Sequence, residues 1–254
     1  MGRELRSYFL RALGFFVVLE VMLVPAIIWW PQFTENIGSI RNMASPLPVL
    51  RGLVDQVEQL GVTGYVIGQQ FFKGCNTLGA TAAVLLAMNA VAGEAHRGTM
   101  EVWLARPLSR GRLLTERYVL GWLATNLPVL ASSATIPWLL SFVDESMHWN
   151  DILLCTLYQS LFLGCIYTIS FVLSCLVSQP TKIAFVMLFL SIFQFALYLV
   201  DTITHYSLFR LVDVKEFAII TQRDELPLWP TVSFVTLHVA GYLLSRRLFT
   251  RRNP

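Results

Sequence analysis

Six apolar runs alternate with polar stretches along this chain: Leu10–Trp30, Gly74–Ala92, Val119–Val143, Ile152–Val177, Ile183–Val200 and Trp229–Leu244. About 20 apolar residues suffice for a helix to cross a hydrocarbon core about 30 Å thick. The pattern therefore predicts an all-α integral membrane protein, one transmembrane domain of six helices over residues 1–254. The sixth run is the shortest. Between the first two, Val49–Leu60 reads as a short helix after Pro46 and Pro48. Before the last, the mixed stretch Tyr206–Thr221 suits a segment that lies on or dips into the membrane surface.

Composition agrees. The chain is 55% hydrophobic and 14% charged, whereas soluble domains carry about 45–50% apolar and about 25% charged residues. The charge deficit is the stronger sign, because a soluble surface needs charges and a lipid-facing one excludes them. The first run is too long for a signal-peptide core and no small-residue cleavage site follows it, so it is expected to be retained.

The net charge of +3 says little, but its distribution says more. With six spans, one side collects the N-terminus, residues 93–118, the turn Ser178–Lys182 and the C-terminal tail. That side holds Arg3, Arg6, Arg11, Arg97, Arg106, Arg110, Arg112, Arg117, Lys182, Arg246, Arg247, Arg251 and Arg252, which is 13 of the 19 basic residues, against four glutamates. The positive-inside rule then predicts that both termini are cytoplasmic, and an even span count agrees.

The segment Glu94–Arg117 interrupts two apolar runs with five arginines. Gly98 should break the preceding helix. Thr99 is placed to cap a new one through its hydroxyl, with Glu101 in its first turn and Arg106 in its last, each of the sign the helix dipole favours. Met100, Trp103 and Leu104 share one apolar face, and Pro107 ends the helix. Ser109 can cap the next helix, in which Arg112 and Glu116 pair at i, i+4. Such an element is either an interfacial helix on anionic lipid or a helix that inserts into a groove on a soluble partner.

The string Glu94-x-x-Arg97-Gly98-Thr99-Met100-Glu101-x-x-Leu104-Ala105-Arg106-Pro107-Leu108-Ser109-Arg110 resembles the loop after the second span of ABC type-2 permeases, E-x-x-x-G-T-l-E-x-l-L-x-x-P-x-S-R. The six-span layout and the long segment before the last span are similar too. The resemblance implies a permease subunit of an ATP-driven exporter in a bacterial plasma (inner) membrane, surrounded by lipid and paired with a second copy or a sister permease. It implies docking on a soluble P-loop ATPase, which would carry the ATP and Mg, with no cofactor in this chain and no nucleic-acid partner. Glu94, Arg97, Gly98, Thr99, Met100, Glu101, Trp103, Leu104, Arg106, Pro107, Ser109 and Arg110 would then form the docking element, a coupling helix over Thr99–Arg106. The turn Ser178–Lys182 would make a second contact, Arg3–Arg11 would form an interfacial helix, and spans one and five would line the seam and pathway. The alternative is a membrane scaffold or sensor that docks a soluble partner through 94–117 without transporting.

The residues give no sign of intrinsic catalysis. No Gly-Lys is present to hold a nucleotide's phosphates, and neither H-E-x-x-H nor G-x-S-x-G occurs. Cys75, Cys155, Cys165 and Cys175 lie in or beside apolar runs without metal spacing and read as small buried apolar residues. Glu20, near the middle of span one, is a candidate pathway or gating residue, because an intramembrane carboxylate needs a partner or a wet cavity. Asn89, Asn126, Gln159, Gln194 and His238 are its candidate partners. Gly79, Ala83 and Ala87 repeat every four positions, a spacing that lets another helix approach closely.

Overall fold

The computed structural model describes residues 2–44, 48–105, 107–200 and 202–251. Pro46, Arg106 and Arg252 lie outside the described residues, as do the side chains of Arg3 and Pro48. In chain order the helices are α1 (Gly2–Ile28), α2 (Trp30–Glu35), α3 (Ile37–Ala44), α4 (Pro48–Leu60) and α5 (Val62–Val66). A π-helix (Ile67–Gly79) leads into α6 (Ala80–Met88), α7 (Ala92–His96), α8 (Met100–Leu104) and α9 (Arg110–Leu140). Then come α10 (Trp149–Leu176), α11 (Pro180–Leu199), two 3-10 turns (Thr204–Tyr206 and Leu208–Val212), α12 (Val214–Arg223) and α13 (Leu228–Arg251). Among the described residues there is no strand.

Among the described residues, six helical stretches are long and apolar enough to cross a membrane: Leu5–Ile28, Val62–Met88, Arg110–Val143, Trp149–Leu176, Pro180–Leu199 and Leu228–Arg251. The chain is thus built as a multi-pass membrane protein. Three of the helices extend beyond the predicted apolar runs. Span two starts at Val62, twelve residues before Gly74, because Gln69, Gln70 and Lys73 sit inside a helix that sequence polarity presents as a loop. The helix of span three is continuous from Arg110, as the expected Ser109 cap implies, and its first turns pack under α8. Span six runs on to Arg251, past Leu244, because its arginine-bearing end stays helical beyond the apolar stretch. The basic start, residues 3–11, belongs to α1 and continues unbroken into span one.

Helix α10 is the centre of the bundle and packs against α6, α9 and α13. Lipid tails are as apolar as leucine, so close packing and hydrogen bonds hold such helices together. The small-residue stripe serves the first purpose. Ala83 and Ala87 are buried, and a Cβ on Gly79 would stand 2.7 Å from Leu163 Cδ1 of α10. Side-chain bonds serve the second. Gln70 Nε2 donates to Ser132 Oγ (3.0 Å), Gln159 Nε2 to Asn76 Oδ1 (2.9 Å), and the Tyr118 and Thr168 hydroxyls meet at 2.8 Å. All four cysteines are buried and free.

One end of the bundle gathers Tyr8, Trp103, Leu113 and Phe249 into a single cluster. Both chain ends and the loop after span two therefore share that end. The opposite end is closed by Ile27, Trp30, Val57, Tyr65 and Met147, with Trp30 Nε1 donating to Glu145 (2.9 Å).

Candidate functional site

The segment that joins span two to span three is held at both of its breaks. Helix α6 stops at Met88, and the Val91 and Ala92 amides, which have no helical partner there, donate to Ser174 Oγ of α10 (3.1 and 2.9 Å). That hydroxyl donates in turn to the Met88 carbonyl (3.2 Å). Gly98 then reverses the chain at φ +68°, a conformation that favours glycine. Helix α8 ends ahead of Pro107, and Ser109 Oγ accepts from Arg112 N (3.3 Å) to start α9. The Arg112–Glu116 pair forms at 3.5 Å.

Arg117 locks this turn from below. Its Nη2 donates to Glu94 Oε1 (2.9 Å) and its Nη1 to the Ala90 carbonyl (2.8 Å). Arg97 Nη2 reaches the same Glu94 oxygen at 3.0 Å, and the Thr99 hydroxyl donates to Oε2. The Arg117 and Glu94 side chains are only 9% and 13% exposed. The guanidinium carbon lies 4.3 Å from the centre of the Trp103 ring, a cation–π contact, and that ring sits 5.3 Å from Phe249 of α13. Burial pushes the Glu94 carboxyl up, but the Thr99 hydrogen bond and the charges of Arg117 and Arg97 outweigh it and hold the carboxyl below the usual range. One guanidinium thus ties together the end of α6, the loop acid and the α8 tryptophan.

The predicted docking residues divide into two groups. Met100 and Trp103 (3% exposed) face inward, while Arg97, Gly98, Thr99, Glu101, Pro107 and Ser109 face out. Leu104 and Arg110 are half-buried. The helix expected over Thr99–Arg106 is described over Met100–Leu104, and Arg106 lies outside the described residues. Thr99 makes no side-chain cap, because its hydroxyl is engaged by Glu94. The apolar face predicted for a partner's groove is turned onto the protein's own bundle. What α8 presents outward is Val102, 74% exposed, beside Glu101. Sequence inspection missed Val102, although an apolar residue two places from Met100 and one from Trp103 falls on the opposite helix face. It also missed Ser174 and Phe249, which nothing in the local pattern marks.

Glu20 is half-buried and accepts from Thr135 Oγ1 of α9 (3.1 Å). None of the five expected partners holds it. Asn89 and Asn126 bond to carbonyls one turn back in their own helices, Gln159 to Asn76, His238 to Phe234 O, and Gln194 to the 207–208 segment. A hydroxyl meets the carboxylate where an amide was expected. Among the described residues no three His, Cys, Asp or Glu side chains group as a metal site.

Residues 40–253 match the family described as "Protein of unknown function (DUF2705)". The chain belongs to that family. The match includes spans two to six, the Glu94–Arg117 lock and α12, and leaves Glu20 outside it. No curated protein matches the chain.

Proposed function

We propose that this DUF2705 chain is the membrane-spanning permease subunit of an ATP-driven ABC transporter, an exporter in a bacterial plasma membrane. The supporting observation is the locked segment 89–109, which projects Glu101 and Val102 from the bundle end where the arginines gather. On this reading Val102 and Glu101 enter a groove on a separate P-loop ATPase, and the bundle forms a pair with a second copy or a sister permease. Closure of the ATPase pair pushes α8. Trp103 passes the push to Phe249 on α13 and to Arg117 on α9, while Ala90 and Ser174 carry it to α6 and α10. The helices around the pathway then tilt together. Hydrolysis and its Mg belong to the ATPase, and this chain supplies the lever.

The test is co-purification of the tagged chain from its own membranes in mild detergent. A stoichiometric P-loop ATPase is expected with the wild type, and Val102→Arg should lose it while keeping the elution profile and thermal stability of the parent. Recovery of the same ATPase with Val102→Arg would remove α8 from the docking surface. Recovery of a different soluble partner, with no ATPase even after crosslinking, would replace the permease by a membrane scaffold.

A further inference from the structure

A cavity of about 500 Å³ opens where α11 ends, between α4, the two 3-10 turns and α12. Helix α11 starts beside Ala92 and finishes at Leu199, so this cavity lies at the bundle end remote from α8. It is the size of a small-molecule site, and its lining is charged. Arg210 and Lys215 are the cations, Asp213 and Glu216 the carboxylates, and His205 lies beside them. None of Arg210, Lys215 and Glu216 closes an ion pair with another described residue. Asp213 is fixed in place, accepting from the Tyr198 hydroxyl (2.6 Å) and from Val214 N (2.6 Å) as the cap of α12. The Lys215 stem lies along Gly52, where a Cβ would sit 3.7 Å from its Cε.

The surroundings of the cavity say what kind of molecule reaches it. The apolar span ends at Leu199, so Tyr198 and the cavity floor stand at headgroup depth. Immediately beside the cavity Ile203, Tyr206 and Leu208 are exposed large apolar side chains. A site with balanced charge, an apolar rim and a place at the membrane surface suits a zwitterion attached to hydrocarbon. We propose that this cavity binds a zwitterionic phospholipid headgroup, with Arg210 and Lys215 on the phosphate and Glu216 and Asp213 on the ammonium.

The electrostatics agree. Burial is the largest influence on both carboxyls, and each is held above its usual range despite nearby Arg210. An ammonium placed between them would offset that cost, which the protein's own cations do only in part. Charge-assisted contacts of this type are the strong ones.

The full chain would be purified in mild detergent, incubated with equal amounts of phosphatidylethanolamine and phosphatidylglycerol, and examined by native mass spectrometry. The expected result is retained phosphatidylethanolamine in preference to phosphatidylglycerol. Arg210→Ala/Lys215→Ala should lower retention of both by at least about tenfold, since even one lost charge-assisted contact has that scale. Glu216→Gln should keep phosphatidylglycerol and lose the preference. Because Arg210 and Lys215 are exposed, a parental elution profile is expected for the double variant. Glycerophosphoethanolamine, the headgroup without its acyl chains, distinguishes the source. Displacement of the lipid only at millimolar levels supports a membrane lipid, and binding as tight as the lipid's supports a soluble zwitterion in the same site. Equal retention of the two lipids by the wild type, or a double variant that retains both as the parent does, would overturn the proposal.

Discussion

Replacing Arg117 by alanine removes at least three contacts together. Glu94 keeps only Arg97 and Thr99, the Ala90 carbonyl loses its donor, and Trp103 loses the cation above its ring. Breaking a fully buried pair costs about 3–5 kcal/mol, chiefly through the charge left behind. Glu94 is 13% exposed and retains a second arginine at 3.0 Å, so its residual charge is partly compensated. The expected loss is therefore about 2–3 kcal/mol, confined to the 89–105 segment. Hydrogen exchange in detergent reads this directly, because local opening free energy sets the protection. The Val91 and Ala92 amides, held by Ser174, should exchange about 30–150-fold faster in Arg117→Ala, from the factor of ten per 1.4 kcal/mol. Arg112→Ala is the control. Its pair with Glu116 is solvent-exposed at 67% and 26%, and such pairs contribute about 0.3–0.5 kcal/mol. Equal exchange in the two variants, or no change at Val91 and Ala92 in Arg117→Ala, would refute the idea that Arg117 holds the turn.

The lock should also respond to acid. The folded Glu94 carboxyl is depressed, so its stabilisation is complete above the ordinary glutamate range of about 4.3 and disappears as pH falls through the lower folded value. Exchange at Val91 and Ala92, referred to Glu94→Gln at each pH, should be level from neutrality to about pH 5 and converge on the variant below the ordinary range. Convergence already near neutral pH would contradict the depressed carboxyl. In the membrane core, Gly79→Val should destabilise by about 1–3 kcal/mol through overpacking against Leu163. Leu163→Ala should cost less in that background than alone, a coupling that thermal unfolding of the four single and double variants measures. The four buried thiols supply the signal through a thiol-reactive dye. Additive effects would place the close approach elsewhere.

Much of the fold was legible because lipid imposes a simple code. Twenty apolar residues in a row have few other fates, and span four came within a few residues of its observed ends. Span two failed where that code breaks down. Gln70 is polar but buried, and its partner Ser132 is 62 residues away. A local window sees only the polarity and reads a loop. The segment after span two was legible as carrying a short helix after a glycine and before a proline, since caps and breakers act within a few residues. Its orientation was not. Trp103 faces inward because Phe249 waits there from the far end of the chain, and that pairing leaves no trace near residue 103. Glu20 shows the same limit in miniature, with Thr135 supplying a hydroxyl that an inventory of amides passed over.

Three side chains of α10 make hydrogen bonds with a temporal sense. Gln159 meets Asn76, Thr168 meets Tyr118, and Ser174 meets Met88, Val91 and Ala92. Each partner is closer to the N-terminus than the group it satisfies. Synthesis runs in that direction and earlier segments fold first, so the receptors for these three side chains are already in the bilayer when α10 leaves the ribosome. Those three groups need not wait unpaired in lipid, whereas the Tyr158 hydroxyl, which donates to the Leu211 carbonyl (2.8 Å), finds its partner only when the later segment arrives.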